Sequence, residues 1–215
     1  MKPKLPQQIF VSGIGTDVGK TVVSAILVEA LQADYWKPVQ AGGLNFTDTD
    51  YVKSLVSNTK SVFHAEHYAL QTAASPHYAA KQDGVSIDIA SFQFPAIQNR
   101  LIVEGAGGLM VPLNEQHTVI DFVKQYQLPV LMVANNYLGS INHTLLSVVA
   151  LKQQGIPLLG VIFNGDTYLD NAEIIQQLSM VDCVCYVGKA NELTKDFVSA
   201  EAAKLRQQLE SYYEL

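Results

Sequence analysis

Short apolar runs alternate along the chain with longer segments of helical periodicity. The runs QIFVSG, DYWKPV, RLIVEG, PVLMVAN, PLLGVIF and CVCYVG have the length and apolar character of buried strands. Between them, KTVVSAILVEALQ, TVIDFVKQYQ, INHTLLSVVALKQQ and DNAEIIQQLSM are typical of amphipathic helices, and SAEAAKLRQQLESYYEL predicts a C-terminal helix. This alternation predicts one α/β domain over residues 1–215, a doubly wound, mostly parallel sheet with helices on both faces.

Ligands of such sheets bind at the carboxyl ends of the strands, so the loops there are candidates for chemistry. The least regular segment, residues 62–82, is expected to pass over this active face. The candidate loops are residues 13–20, 37–43, 104–108, 135–142 and 164–166.

Composition and charge narrow the ligand class. The chain has 215 residues, 48% of them hydrophobic, and a formal net charge of −6. Its 14 Lys and Arg residues form no run, which argues against nucleic acid and favours small ligands. The N-terminal MKPKLPQQIFVSG has too short an apolar run for a signal peptide or a membrane span, so we expect a cytoplasmic protein without membrane association.

The two cysteines, Cys183 and Cys185, stand in an apolar stretch without a third Cys or a nearby His. This pattern excludes a disulfide scaffold and favours a buried strand pair, with metal or redox chemistry as the alternative.

Residues 12–21, SGIGTDVGKT, resemble a phosphate-binding loop with one extra residue. The usual pattern is G-x-x-x-x-G-K-[ST], but here the first glycine, Gly13, stands six positions before Gly19. The segment follows a strand and opens a helix, so backbone N–H groups and Lys20 would face a polyphosphate and Thr21 would hold magnesium. The alternative is a glycine-rich turn without a ligand.

Charged residues occur near the ends of two further predicted strands. Lys37 ends the second strand, where an anionic ligand would offset the cost of its burial; an outward-pointing lysine is the alternative. Glu104 leaves the strand LIVEG, and Asp48 and Asp50 precede a helical pattern in which an aspartate is often a cap. Thr21, Asp50 and Glu104 would suffice for a hydrated magnesium ion.

Six motifs occur in a fixed order between residues 9 and 164: G-x-x-T-D-V-G-K-T, K-P-V-Q-x-G, T-D-T-D, S-P-H-x-A-A, V-E-G-A-G-G and L-G-x-I-N-H-T-L-L. Together they resemble the dethiobiotin synthetase family, which has a P-loop NTPase fold. The resemblance implies a magnesium-dependent ligase of biotin biosynthesis that uses ATP and carbon dioxide to close the ureido ring of 7,8-diaminopelargonic acid. It also implies that the longer loop is normal and makes room for an acceptor beside the γ-phosphate.

The resemblance implies a role for each matching position. Lys37 is expected to contact the carbamate and the transferring phosphoryl group, with Lys20 and Thr16 as the other catalytic residues. Magnesium is expected at Thr21, Asp50 and Glu104. The expected nucleotide-binding residues are Gly13, Asp17, Val18, Gly19, Lys20, Thr21, Val22, Asp50, Glu104, Gly105, Ala106, Gly107 and Asn164, the last as the adenine-reading residue. The expected substrate-binding residues are Thr16, Lys37, Ser140, Ile141 and Asn142, the last three supplied by the partner subunit of a homodimer.

The chain departs from the family at two places. Ala41 stands where members usually have a hydroxyl residue, and YVGKANEL lacks the proline often found near the adenine. His77 and His143 belong to family motifs but are expected to be structural.

Two other functions are alternatives, and the first shares the fold and much of the nucleotide site. A partner-switching ATPase of the division-site or plasmid-partition type would carry a second lysine at the start of the loop, which residues 12–15 lack. A cobalamin-precursor amidotransferase would normally carry a glutamine-hydrolysing domain.

Overall fold

The computed structural model describes residues 2–166 and 170–215. Its elements in chain order are β1 (Gln8–Gly13), α1 (Lys20–Leu31), β2 (Asp34–Trp36), β3 (Val39–Ala41), α2 (Asp48–Leu55), β4 (Phe63–His64), β5 (Tyr68–Leu70), α3 (Pro76–Gln82), β6 (Leu101–Gly108), α4 (Val119–Gln125), β7 (Val130–Asn135), α5 (Ser140–Gln153), β8 (Leu158–Asn164), α6 (Asn171–Ser179), β9 (Val184–Val187) and α7 (Lys195–Tyr212).

Seven parallel strands form the main sheet in the order β4-β2-β6-β1-β7-β8-β9. From β1 the chain moves one way to β2, and from β7 it moves the other way to β8, so right-handed crossovers place α1 and α5 on opposite faces. Accordingly, α1 packs with α2 and α7, whereas α5 packs with α6. The predicted doubly wound sheet is confirmed.

The central strands are mostly apolar because helices cover them on both sides. Phe10, Ile102 and Leu131 are each at most 1% exposed, and α1, which packs on β1 and β6, buries Val23 and Ile26. The helices predicted from periodicity agree with α1, α4, α5, α6 and α7 to within a few residues.

The predicted strand DYWKPV is wrong as one strand. Strand β2 ends at Trp36, and the chain resumes as β3, which pairs with β5 in a separate two-stranded sheet. Pro38 explains the break, since it has no N–H for a ladder hydrogen bond. The break turns the chain out of the main sheet directly after Lys37.

The segment 62–82 is more regular than expected, because it contains β4, β5 and α3. Strand β6 is also longer than predicted, so Glu104 lies within the strand instead of at its end. Among the described residues, none of the helices is long and apolar enough to cross a membrane.

Cys183 and Cys185 are both buried and free, with their sulfur atoms 3.8 Å apart. The predicted burial of both is confirmed, although only Cys185 lies in a strand, β9, and Cys183 directly precedes it.

Candidate active site

A cavity of about 730 Å³ opens at the carboxyl ends of β1, β2 and β6, where loops from both sheets meet. Its lining consists of Thr16, Asp17, Gly19, Lys20, Thr21, Val22, Lys37, Val39, Gln40, Ala41, Asp48, Ala73, Ala74, Ser75, Pro76, Glu104, Ala106, Gly107 and Val111. The residues from 73 to 76 show that part of the segment 62–82 does reach this face of the molecule.

The phosphate-type loop joins β1 to α1 and leaves the helix N-terminus facing the cavity. Gly19 has φ +87°, and a Cβ atom there would lie 2.0 Å from Nδ2 of Asn164, so only glycine fits. That amide donates to the carbonyl of Val18 at 3.1 Å and ties the end of β8 to the loop. Lys20 is 8% exposed and donates through Nζ to the carbonyl of Gly15 at 3.3 Å. The loop therefore presents its backbone and Lys20 to the same cavity.

Glu104 is the centre of the polar network below the loop. The carboxylate is 0% exposed, and its Oε1 accepts hydrogen bonds from Thr21 Oγ1 and Lys37 Nζ, each at 3.0 Å. Its Oε2 accepts from the hydroxyl of Tyr35 at 2.9 Å. Lys37 also pairs with Oδ2 of Asp48 at 2.5 Å. Strand β2, the residue that follows it and the start of α1 thus meet at one buried carboxylate, and α2 is linked to it through Lys37.

Burial and mutual attraction act in opposite directions on the pKa values of these groups. Burial alone would lower the pKa of Lys37, but the carboxylates of Glu104 and Asp48 outweigh it and raise the pKa. Burial would raise the pKa of Glu104, but Lys37, with a smaller contribution from Lys20, holds it below the usual range. For Lys20 burial dominates, so its pKa is lowered although Glu104 opposes the shift. Lys37 and Glu104 are therefore a charged, tightly coupled pair.

The structure brings Asp48, not Asp50, to the cavity. Thr47 is the N-cap of α2, and Oδ2 of Asp50 accepts from the Thr47 backbone N–H at 2.9 Å as the third residue of a capping box. Asp50 is exposed and is not part of the cavity lining. Asp48, at the first helical position, instead reaches Lys37, and its backbone N–H donates to Gln40 at 3.3 Å. The structure therefore places Asp48 at the cavity and Asp50, the aspartate expected at the metal, outside the cavity lining.

Most of the other sequence-predicted residues lie at the cavity. Its wall contains Thr16, Asp17, Gly19, Lys20, Thr21, Val22, Lys37, Glu104, Ala106 and Gly107. Four lie behind that wall or beside it: Gly13, Val18, Gly105 and Asn164. Gly105 is required by packing, because a Cβ atom there would meet the Phe10 ring at 2.6 Å.

The predicted carboxylate-holding segment is not part of this cavity within one chain. Ser140, Ile141 and Asn142 form the first turn of α5, and Asn142 is exposed. Ser140 is buried, and its hydroxyl accepts from Nδ2 of Asn171 at 3.3 Å. Its side chain is therefore engaged inside its own chain.

The two motif histidines have nearby hydroxyl partners. Nδ1 of His77 lies 3.0 Å from the hydroxyl of Ser75, and Nδ1 of His143 lies 2.6 Å from that of Tyr137. These contacts agree with the structural role expected of both.

Sequence reasoning missed Tyr35, Gln40 and Ser75 as parts of the site. Tyr35 stands in an apolar strand pattern and is indistinguishable there from a core residue. Gln40 and Ser75 each lie inside a quoted motif, K-P-V-Q-x-G and S-P-H-x-A-A, which is the signal that could have found them.

Comparisons with known proteins show the family of the chain. A family model described as an AAA domain matches residues 7–196. The chain is 47% identical over 205 residues to an ATP-dependent dethiobiotin synthetase of Christiangramia forsetii, covering 95% of this chain and 99% of that protein. It is 45% identical over 209 residues to the corresponding protein of Cytophaga hutchinsonii, covering 97% and 100%.

Solved structures share the fold at low identity. The cell division ATPase MinD of Pyrococcus furiosus matches with a TM-score of 0.56 and 16% identity, over 96% of this chain and 99% of that one. A ParA family ATPase from Chlorobium tepidum matches with a TM-score of 0.51 and 13% identity, over 98% and 96%. These likenesses show the P-loop NTPase fold alone, whereas the relatives in sequence show that the chain belongs to the ATP-dependent dethiobiotin synthetase family.

Proposed function

We propose that this protein converts 7,8-diaminopelargonic acid, carbon dioxide and ATP into dethiobiotin, ADP and phosphate. The observation that carries the proposal is the meeting of Lys20, Lys37 and two carboxylates at one cavity behind a phosphate-type loop. A reaction that gathers a carbamate, a triphosphate and a cation needs this mixture of charges.

The reaction consists of three bond-forming steps. One amine attacks carbon dioxide and loses a proton, which gives a carbamate. A carbamate oxygen then attacks the γ-phosphorus of ATP, and ADP leaves, which gives a carbamic-phosphoric anhydride. Finally, the second amine attacks the carbamate carbon, loses a proton and expels phosphate, so that the ureido ring closes.

Lys20 is assigned to the nucleotide phosphates. It is the first residue of α1, and its Nζ already bends back over the loop to the carbonyl of Gly15. Backbone N–H groups at the start of α1 add to this attraction, because they have no partners inside the helix.

Lys37 is assigned to the reacting carbamate and the phosphoryl group. Its raised pKa keeps the ammonium charged, so it offers positive charge where negative oxygens approach each other. In the free protein its charge is balanced by Glu104 and Asp48. Binding of the anionic reactants would therefore exchange these partners for ligand oxygens.

Thr21, Asp48 and Glu104 are the residues proposed to hold magnesium. Hard oxygen ligands suit this ion, which usually binds one or two carboxylates together with water and substrate phosphate. The described residues contain no cluster of three or more His, Cys, Asp or Glu that could form an all-protein metal cage, so this sparse set fits magnesium better than a cage-bound metal. Bound there, magnesium would neutralise charge on the phosphates.

The roles of the remaining residues are assigned from the family motifs and from their location at or beside the cavity. Thr16 and Asp17 line the cavity and are proposed to border the diamine and the nucleotide. Asn164, at the end of β8 beside the loop, is proposed to read adenine. Ala41 also lines the cavity, so it leaves the reacting carbamate without a side-chain hydroxyl at that point.

A homodimer is proposed to complete the substrate site. Around Asn142, Leu146 and Val149 on α5 and Leu138 in the loop before it are 59%, 48% and 95% exposed. Such an apolar face next to polar residues is typical of an interface, and the helix N-terminus suits a carboxylate from the partner's cavity.

Subunit mixing tests the dimer. If Lys20 of one chain and Asn142 of the other serve the same site, Lys20→Ala and Asn142→Ala homodimers are both impaired. After subunit exchange, about a quarter of the original activity returns, because half the dimers carry one intact site of two. The absence of recovery in verified heterodimers would show that Asn142 serves its own chain.

One assay tests the activity itself. Purified protein is incubated with ATP, magnesium, bicarbonate and diaminopelargonate, and dethiobiotin is detected by mass spectrometry. ATP turnover should require both the diamine and bicarbonate. Turnover that instead requires a protein partner or glutamine would overturn the proposal in favour of a partner-switching ATPase or an amidotransferase.

A further inference from the structure

The carboxylate of Glu104 is held by three donors that differ in their surroundings. Thr21 and Lys37 both donate to Oε1 and both line the cavity. Tyr35 donates to Oε2, is 0% exposed and lies outside the cavity lining. The two oxygens of one carboxylate therefore face two different environments, the cavity and the core.

Strand geometry explains how Tyr35 reaches this position. Tyr35 is in β2 and Lys37 directly follows this strand, and both side chains reach Glu104 on the neighbouring strand β6. Strand β2 pairs with β6, and Tyr35 lies opposite Ile102, two residues before Glu104. A phenylalanine would fill the same apolar space beside Phe63, so packing does not account for the hydroxyl.

Of the three donors to Glu104, only Tyr35 has no proposed contact with magnesium or the phosphoryl group. The proposed reaction requires the polar atoms of Thr21 and Lys37 to turn towards magnesium and the phosphoryl group. Tyr35 has no such alternative within the part of the chain that the structure describes, because its hydroxyl has Glu104 as its single hydrogen-bond partner. A buried hydroxyl without a partner is costly, so this hydrogen bond persists when the others exchange.

We propose that Tyr35 is a positioning residue that holds Oε2 of Glu104 in the core and presents Oε1 alone to the metal. The inference rests on the magnesium role proposed for Glu104. The hydroxyl restricts rotation of the carboxylate, so the free protein already turns Oε1 towards the cavity, where it would serve the metal.

The test is the affinity of the ADP-bound protein for Mn²⁺, a magnesium substitute, measured by electron paramagnetic resonance. Tyr35→Phe should raise the Mn²⁺ dissociation constant about tenfold, the size expected for losing a hydrogen bond to a charged group. It should also raise the magnesium concentration for half-maximal activity more than it lowers kcat at saturating magnesium. Tyr126→Phe is the matched control, because that hydroxyl donates to the backbone carbonyls of Ile89 and Phe92. It should leave Mn²⁺ affinity unchanged.

A double-mutant cycle shows whether Tyr35 acts through Glu104. In a Glu104→Gln background, adding Tyr35→Phe should change Mn²⁺ affinity less than twofold. An unchanged affinity in Tyr35→Phe alone, or an equal loss in both backgrounds, would overturn the inference. If Tyr35→Phe alone unfolds, Glu104→Gln is compared with the double variant. A tenfold lower Mn²⁺ affinity in the double variant would show that Tyr35 does not act through Glu104.

The Mn²⁺ readout does not depend on catalysis. Failure of the unsubstituted protein to make dethiobiotin would refute the proposed reaction and leave the Tyr35 result standing.

Discussion

Replacing Lys37 with methionine should show how much this residue contributes to folding stability and how much to turnover. The substitution keeps an unbranched side chain but removes the ammonium group that balances Glu104, which is 0% exposed. Breaking a buried ion pair on one side typically costs about 3–5 kcal/mol. We expect about 3 kcal/mol, at the lower end of that range, because Lys20 remains nearby and Tyr35 and Thr21 still donate to the carboxylate. For a chain of this size that loss lowers Tm by roughly 6–12 °C.

The sign of the pH dependence follows from Glu104. In the unsubstituted protein its pKa lies below the ordinary value of 4.5, so the pair contributes stability above that pH, which is lost as the pH falls. Without Lys37, burial dominates and the pKa of Glu104 rises, so the variant carries a penalty at neutral pH that disappears once the carboxyl is protonated. The difference in unfolding free energy should therefore be largest near pH 7 and should shrink towards pH 4.5.

The assay combines denaturant unfolding with steady-state kinetics and ATP titration. Lys37→Met should retain ATP affinity within a few-fold and lose most of its turnover, whereas Lys20→Ala should weaken ATP binding. Adding Glu104→Gln to Lys37→Met removes the unpaired charge, so stability should recover while turnover stays low. Full stability of Lys37→Met at pH 7, or equal losses of ATP affinity and turnover in the Lys20 and Lys37 variants, would refute this reasoning.

Three further outcomes are expected. Burial lowers the pKa of Lys20 below 10.5, so ATP binding at alkaline pH should take up protons and weaken as the pH rises. Calorimetry in buffers of different ionisation enthalpy should detect this uptake in the unsubstituted protein and find none in Lys20→Ala. Gly19→Ala should abolish ATP binding in a titration, whereas Gly84→Ala, with φ +67° and open space around it, should cost only about 1–2 kcal/mol in unfolding experiments. Asp48→Asn should raise the magnesium requirement of catalysis, while Asp50→Ala should leave it unchanged and lower stability by about 1 kcal/mol through loss of the capping box.

Patterns with a fixed period were sufficient to predict the layers of the fold. Buried parallel strands are runs of mostly apolar residues and apolar positions in helices repeat every three to four residues, so β1, α1 and β7 follow from the local sequence pattern. The path after Lys37 was harder to predict, because the pairing of β3 with β5 depends on a segment almost thirty residues further along the chain.

Site residues could be predicted where the chemistry requires one particular residue type at one position. The assignment was ambiguous where two residues of the same type are neighbours in the sequence. Gly19 and Lys20 have no neighbouring substitutes, whereas Asp48 and Asp50 differ only in their place in the first turn of α2. That place depends on Thr47 being the N-cap, a detail that sequence leaves uncertain by one or two residues. Tyr35 could not be found, because the role proposed for it depends on a hydrogen bond across two strands.

The balance of charges around Glu104 also bears on how fast a nucleotide arrives. Lys20 and Lys37 are offset by Glu104 and Asp48, so these four side chains sum to zero, and the chain as a whole is negative. Without a local excess of positive charge, the cavity attracts a triphosphate only weakly at long range. Association of ATP should therefore occur without electrostatic steering and should respond weakly to ionic strength, unlike capture by a strongly basic cleft. The attraction develops only at short range, once the incoming oxygens begin to replace the carboxylates as partners of the two lysines.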